Sequence, residues 1–126
     1  MTTPFYPDHV SSWNRLQEMI RNSGSVFLSS HVNPDGDAIG SLMALANFFG
    51  RTGVDCRVVL ESVVPESYRF LDPKGRIESF PEGNHPVNAP EKDDLVLLLD
   101  LGRLDRTGSI EHYLMRNNPR LAIIDH

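Results

Sequence analysis

Apolar residues recur along the 126-residue chain in two rhythms, and the switches between them lay out an alternating fold. Val10, Trp13, Leu16, Met19 and Ile20 repeat at helical spacing. They predict a first helix, with Asp8, Ser11 or Ser12 as its cap and Gly24 as its stop. Trp13 reads as a packing anchor of that helix rather than a binding platform. Val26, Phe27 and Leu28 then form a short buried strand over residues 25–30. Helical rhythm returns over 38–51, where Ile39, Leu42, Met43, Leu45, Ala46, Phe48 and Phe49 nearly encircle the axis. Such a helix is expected to be buried on more than one side, and Gly53 suits its C-terminal stop.

Residues 54–60 are rich in β-branched side chains and read as a second strand. A short helix over 65–71 carries Pro65 at its first turn, and 76–80 reads as a brief edge strand. The polar stretch 81–94, broken by Pro81, Pro86 and Pro90, is a surface loop that exposes His85. Leu95-Val-Leu-Leu-Leu-Asp100 is a continuous apolar run, as in a strand covered on both faces. A loop over 101–107 follows, then a helix marked by Ile110, Tyr113, Leu114 and Met115 that ends near Asn117-Asn118-Pro119. Residues 121–126 read as another buried strand. The alternation predicts an α/β fold: three layers, doubly wound, with a mainly parallel sheet of about five strands.

Titratable residues gather where these strands end. His31, Asp35 and Asp37 follow the first strand, Asp100 ends the long apolar run, and Asp125 and His126 end the last. In a parallel sheet all strand carboxyl ends lie along one edge, so topology would bring these groups together. Carboxylates crowded there repel unless a cation intervenes. Imidazole with carboxylates suits Mn2+ or Zn2+, and carboxylates alone suit Mg2+. The set suits two divalent cations about 3.5–4 Å apart, the arrangement used for phosphoester hydrolysis. In the first loop, Pro34 is expected to push Asn33 towards an extended backbone. Gly36 is expected to allow a positive φ, and Asp37 lies where a helix cap belongs. Asp-Gly is also a common turn signal and Asp a common cap, so the triplet 35–37 alone leaves a capped turn open.

Composition narrows this picture. The length suits one domain, and 40% hydrophobic content supports one packed core. Seventeen acidic residues against twelve basic ones give a net charge of −5. That balance argues against strong non-specific binding to long nucleic acid, yet permits a phosphate ligand bridged by cations. Cys56 is the sole cysteine, which excludes an internal disulfide, and it reads as a small apolar strand residue. The opening Met-Thr-Thr-Pro-Phe-Tyr-Pro-Asp has no signal-peptide pattern, and no apolar run approaches membrane-spanning length. A cytoplasmic protein without a membrane partner is the expectation. No Gly-x-Gly-x-x-Gly follows the first strand, which argues against a dinucleotide-binding domain.

His31-Val-Asn-Pro-Asp-Gly-Asp-Ala-Ile-Gly-Ser41 resembles the first motif of the DHH phosphoesterase family. Leu97-Leu-Leu-Asp100 resembles its second motif, and Ile123-Ile-Asp-His126 the start of the Asp-His-His motif that names it. The resemblance is nearest to the RecJ-like branch, which degrades very short RNA and dephosphorylates 3′-phosphoadenosine 5′-phosphate. Cyclic-dinucleotide phosphodiesterases, the single-strand exonuclease RecJ and manganese pyrophosphatases are other members. The resemblance implies one metal held by His31, Asp35 and Asp100, and another by Asp37, Asp100 and His126, with Asp100 bridging. Mn2+ is the first choice and Mg2+ the second. It implies a metal-activated water as nucleophile and a short oligonucleotide or phosphorylated nucleotide as substrate. Asp125 would orient its neighbours beside the catalytic Asp100 and His126. Arg106, in Leu104-Asp-Arg-Thr-Gly108, matches an arginine of the RecJ-like branch; it supports the site, contacts phosphate, or is a solvated helix-capping residue.

The sequence departs from the family pattern in extent. It stops at His126, where a second histidine is expected, and lacks the family's remaining metal-binding aspartate and its C-terminal substrate-binding domain. Residues 1–126 are therefore expected to be the N-terminal catalytic domain, truncated within the Asp-His-His motif and weakly active alone. The competing expectation is a non-catalytic module that holds a nucleotide through a metal or backbone amides. The apolar excess of the second helix fits a larger parent or a partner chain, so a homo-oligomer stays open.

Overall fold

The computed structural model describes residues 7–80 and 89–125. The chain runs α1 (Pro7–Arg21), β1 (Ser25–Ser29), α2 (Gly36–Thr52), β2 (Cys56–Leu60), a 3-10 helix (Glu66–Leu71) and β3 (Ile77–Ser79). It continues with β4 (Asp94–Leu99), a second 3-10 helix (Leu104–Thr107), α3 (Ile110–Asn117) and β5 (Arg120–Ile124). The five strands form one parallel sheet in the order β3-β2-β1-β4-β5. After β1 the chain winds outward through β2 and β3, then crosses to the other side of β1 to add β4 and β5. The switch in winding direction falls between β1 and β4, and ligands bind outside strand carboxyl ends at such a point.

Strand alternation sorts the core into two layers. Val26, Leu28, Val58, Leu60, Leu97 and Leu99 face α2, which contributes Leu42, Ala46 and Phe49, while Leu16 and Ile20 of α1 pack alongside. Phe27, Val59, Val96 and Leu98 face the other way, against Ile110 and Leu114 of α3 and against Phe80 and Leu101. Helices thus cover both faces, as the strand–helix alternation predicts, and every residue of β4 is buried. Cys56 sits in β2, where burial pushes its thiol pKa up and keeps it in the neutral form.

Several local expectations are corrected. The last strand is not buried: β5 is an edge strand, and Ile123 is 42% exposed. Trp13 does not anchor α1, being 53% exposed. Nor is α2 enclosed all round, since Phe48 is 58% exposed while the opposite face is buried. One sheet face needs only one apolar stripe from a helix. Part of the loop over 101–107 is the second 3-10 helix. The expected surface loop falls partly, and His85 wholly, within 81–88, outside the described residues. Among the described residues no helix is long and apolar enough to cross a membrane.

The amino-terminal edge of the sheet carries a closed polar network. Asp94, 3% exposed, accepts from Arg57 Nη2 at 2.7 Å, from the Glu91 amide at 2.8 Å and from the Ser25 hydroxyl. Arg57 also lies over the Phe27 ring, 5.7 Å from its centroid. Removing one partner of a mostly buried ion pair leaves the other charge uncompensated. Asp94→Ala is expected to lower stability by about 3 kcal/mol in urea unfolding, whereas a loss under about 0.5 kcal/mol would mean that water satisfies Arg57 equally well.

Candidate metal centre

The site begins with the pairing of the two central strands. Their register runs from Ser25 opposite Asp94 to Ser29 opposite Leu98, and continued by two residues it sets His31 beside Asp100. The buried Ser30 hydroxyl donates to the Leu99 carbonyl at 2.6 Å and fastens the two strand ends together. Beyond them, the Asp100 amide donates to the Ile124 carbonyl at 3.0 Å, and the Val32 amide donates to the Arg106 carbonyl at 2.6 Å. Each segment leaving the sheet is therefore held by a backbone contact to its neighbour.

Two non-glycine residues here adopt left-handed backbone. Asp100 has φ +60° and Asn33 φ +51°. The Asn33 value corrects the expected extended conformation: Asn tolerates this region best among residues with a side chain, and that tolerance prevails over the bias from Pro34. At Asp100 the turn redirects the chain directly after a fully buried strand. Strain of this kind costs about 1–3 kcal/mol and collects at functional sites.

His31, Asp35 and Asp100 come together, with one donor atom from each inside a mutual distance of 4.8 Å. His31 Nε2 lies 3.5 Å from Asp100 Oδ2 and 3.8 Å from Asp35 Oδ1. Two donors about 2.1 Å from a shared ion would lie between about 3 and 4.2 Å apart, so both distances fit one cation. The ring orientation fits as well. His31 Nδ1 is 2.8 Å from the Val32 carbonyl, which can only accept. The proton therefore belongs on Nδ1 in the neutral ring, and the Nε2 lone pair faces the carboxylates. His31 is mostly buried, whereas the Asp35 side chain is 57% exposed, so the group is open on one side.

Asp35, not Asp37, caps α2. Its Oδ1 accepts from the Ala38 amide at 2.9 Å, and its backbone is extended. The expected cap at Asp37 is thereby corrected: Gly36 begins the helix, and Asp37 is an exposed residue of its first turn. The need for glycine at 36 is also not the expected positive φ. A Cβ there would stand 3.3 Å from Cε1 of Tyr68, whose ring packs against the helix start.

The DHH family N-terminal domain matches residues 25–126. The chain belongs to the DHH family. No curated protein matches the sequence. A crystal structure of an exopolyphosphatase-related protein from Bacteroides fragilis is similar in fold, with a TM-score of 0.78 at 20% identity. That likeness covers 100% of this chain and 36% of that one, so the chain spans little more than a third of that neighbour.

Within this DHH domain the expected site residues separate into groups. His31, Asp35 and Asp100 form the three-donor group, which includes neither Asp37 nor Asp125. Asp125 is exposed at the end of β5, where its Oδ2 lies 3.4 Å from the position of a Cβ on Gly102. His126 lies outside the described residues. Arg106 sits in the second 3-10 helix, exposed, and no described hydrogen bond or salt bridge holds its guanidinium. Its neighbour Arg103 is committed instead: Nε donates to Asp105 Oδ1 at 3.0 Å, and this hydrogen bonding holds the Asp105 carboxyl below its usual range.

Sequence reasoning passed over Ser30, Glu61 and Tyr68. Glu61 follows the last residue of β2, so the strand-end pattern that marked Asp100 also applies to it. Ser30 and Tyr68 carry no such signal, because a hydroxyl after a strand and an aromatic in a short helix are commonplace.

The helix cap made by Asp35 can be separated by substitution from the metal-ligand role expected of it. Asparagine keeps an oxygen for the Ala38 amide but loses the charge, whereas alanine loses both. Asp35→Asn is expected to unfold in urea within about 0.5 kcal/mol of the wild type, and Asp35→Ala about 1 kcal/mol lower. Both variants should bind Mn2+ at least about tenfold more weakly by electron paramagnetic resonance titration. Unchanged Mn2+ affinity in both would remove Asp35 from the ligand set.

Proposed function

We propose that this domain is the metal-binding part of a phosphoesterase that hydrolyses short oligonucleotides, nucleotide 3′-phosphates, or both. The observation that carries the proposal is the convergence of His31, Asp35 and Asp100 at the point between β1 and β4 where the winding direction reverses. Family membership supports the same reaction class.

His31, Asp35 and Asp100 would hold one divalent cation; Asp37 and His126 would join Asp100 around a second. Bound cations would supply Lewis-acid activation of water and neutralise charge on the phosphoryl group. The imidazole donor favours Mn2+ over Mg2+, which prefers an all-oxygen shell. The chain's own residues supply the rest. Val32's carbonyl fixes the His31 ring, the capped start of α2 aims Asp35, and the left-handed turn at Asp100 sets its carboxylate beside Nε2. Arg106, exposed and near the Asp105 carboxylate but with no hydrogen bond or salt bridge to its guanidinium among the described residues, is the group we assign to the substrate phosphate. The net charge of −5 favours a short, metal-bridged substrate over a long strand.

Asp100→Asn in the full protein tests this reading. Asparagine also tolerates a left-handed backbone, so the fold should persist. With Mn2+ present, kcat/KM on a dinucleotide RNA and on 3′-phosphoadenosine 5′-phosphate is expected to fall at least about a hundredfold. A rate within about threefold of the wild type would contradict the proposal.

A further inference from the structure

Glu61 is the first residue past β2. Along that strand Val58 and Leu60 face α2 and Val59 faces α3, so alternation turns Glu61 towards α3. There its Oε1 accepts from the Ser109 amide at 3.0 Å. The carboxylate also lies flat against Gly108. A Cβ at that position would stand 2.3 Å from Glu61 Cδ and 2.4 Å from each oxygen, and Gly108 has φ +70°. Only glycine admits both the backbone and the contact.

This turn belongs to the same short segment that holds the His31 loop. Gly108 donates to the Asp105 carbonyl at 3.3 Å, and the buried Thr107 hydroxyl donates to the Leu104 carbonyl at 2.6 Å. Two residues before Gly108, the Arg106 carbonyl accepts from the Val32 amide. The segment 104–109 is thus gripped from two sides, by Glu61 at the end of β2 and by Val32 in the loop after β1.

We propose that Glu61 is a positioning residue for the phosphoesterase site. By clamping Gly108 and Ser109 it keeps the Arg106 segment docked on Val32, and so fixes both the phosphate-directed arginine and the loop carrying His31. The catalytic part of this inference rests on the phosphoesterase reading; the mechanical part does not.

The test uses the full protein and two readouts, hydrogen exchange at individual amides and steady-state kinetics on 3′-phosphoadenosine 5′-phosphate with Mn2+. Glu61→Ala is expected to speed exchange of the Val32 amide about tenfold or more while Phe27 and Val59 in the strands keep their protection. KM should rise about tenfold with kcat within about threefold, the split expected when substrate positioning is lost. Glu61→Gln retains an accepting oxygen and should restore both readouts to within about threefold. Ser109 has φ −64°, which suits proline. Ser109→Pro removes the donated N–H, together with a hydroxyl that makes no capping hydrogen bond, and should reproduce the alanine effects, which keeps the test valid if Glu61→Ala fails to fold. Unchanged Val32 exchange, an equal rise in strand exchange, or a glutamine variant as impaired as the alanine would each overturn the proposal. Should Val32 respond as expected while the wild type turns over no phosphorylated substrate, the clamp stands and the phosphoesterase reading falls.

Discussion

Beside Val26, Phe27 and Leu28, the backbone of β1 hydrogen-bonds that of β4 in unbroken parallel register. Everything at the rim depends on that pairing. It lies in the middle of the sheet, where both strands are buried and a slip of one residue would turn every side chain to the wrong face. Because the core cannot slip, His31 and Asp100 emerge at the same height, and the Ser30 hydroxyl locks the last step. The binding chemistry borrows its precision from hydrophobic packing. Fully buried side chains such as Leu28 and Leu97 contribute about 1.5–3 kcal/mol each, far more than the exposed polar contacts above them.

The two ends of the sheet use the same side chain in opposite ways. Asp94, at the amino edge, is buried and saturated by an arginine, an amide and a hydroxyl. Asp35, at the carboxyl edge, has a mostly exposed side chain and spends one oxygen on a helix cap. A satisfied carboxylate stabilises a fold; an open one beside an imidazole can take a cation. The asymmetry follows from the parallel sheet, which puts loops and helix starts on one edge and returning chain on the other. Of the non-glycine residues with left-handed backbone, Asn33 and Asp100 lie at the carboxyl edge, while Asn118, which ends α3 ahead of β5, lies at the amino edge.

Much of this was legible in the amino-acid order. The unbroken apolar run before Asp100 reads as a strand covered on both faces, and β4 is that strand. The strand–helix alternation led to the parallel sheet, and the motif from His31 to Ser41 led to the family that the domain match establishes. Other features were hidden for physical reasons. Periodicity cannot say how much of an apolar helix a single sheet face will cover, so helical spacing puts Phe48 and Trp13 inside, whereas both stand largely outside. An apolar strand at the sheet edge spells like one at its centre, which misled the reading of β5. Local rules for proline and glycine assigned backbone to Asn33 and Gly36 one residue at a time. The actual constraints are a left-handed Asn and a tyrosine ring from another element. Glu61 carries the strand-end signal, but its partner, an amide 48 positions away in sequence, is not legible there.

The central claim is that a cation sits where the ends of β1 and β4 meet. Anomalous diffraction from Mn2+-soaked crystals of the full protein measures this directly. The expected result is a peak within about 2.5 Å of His31 Nε2 and of one oxygen each from Asp35 and Asp100. A peak held by other residues, or none there at saturating Mn2+, would contradict it.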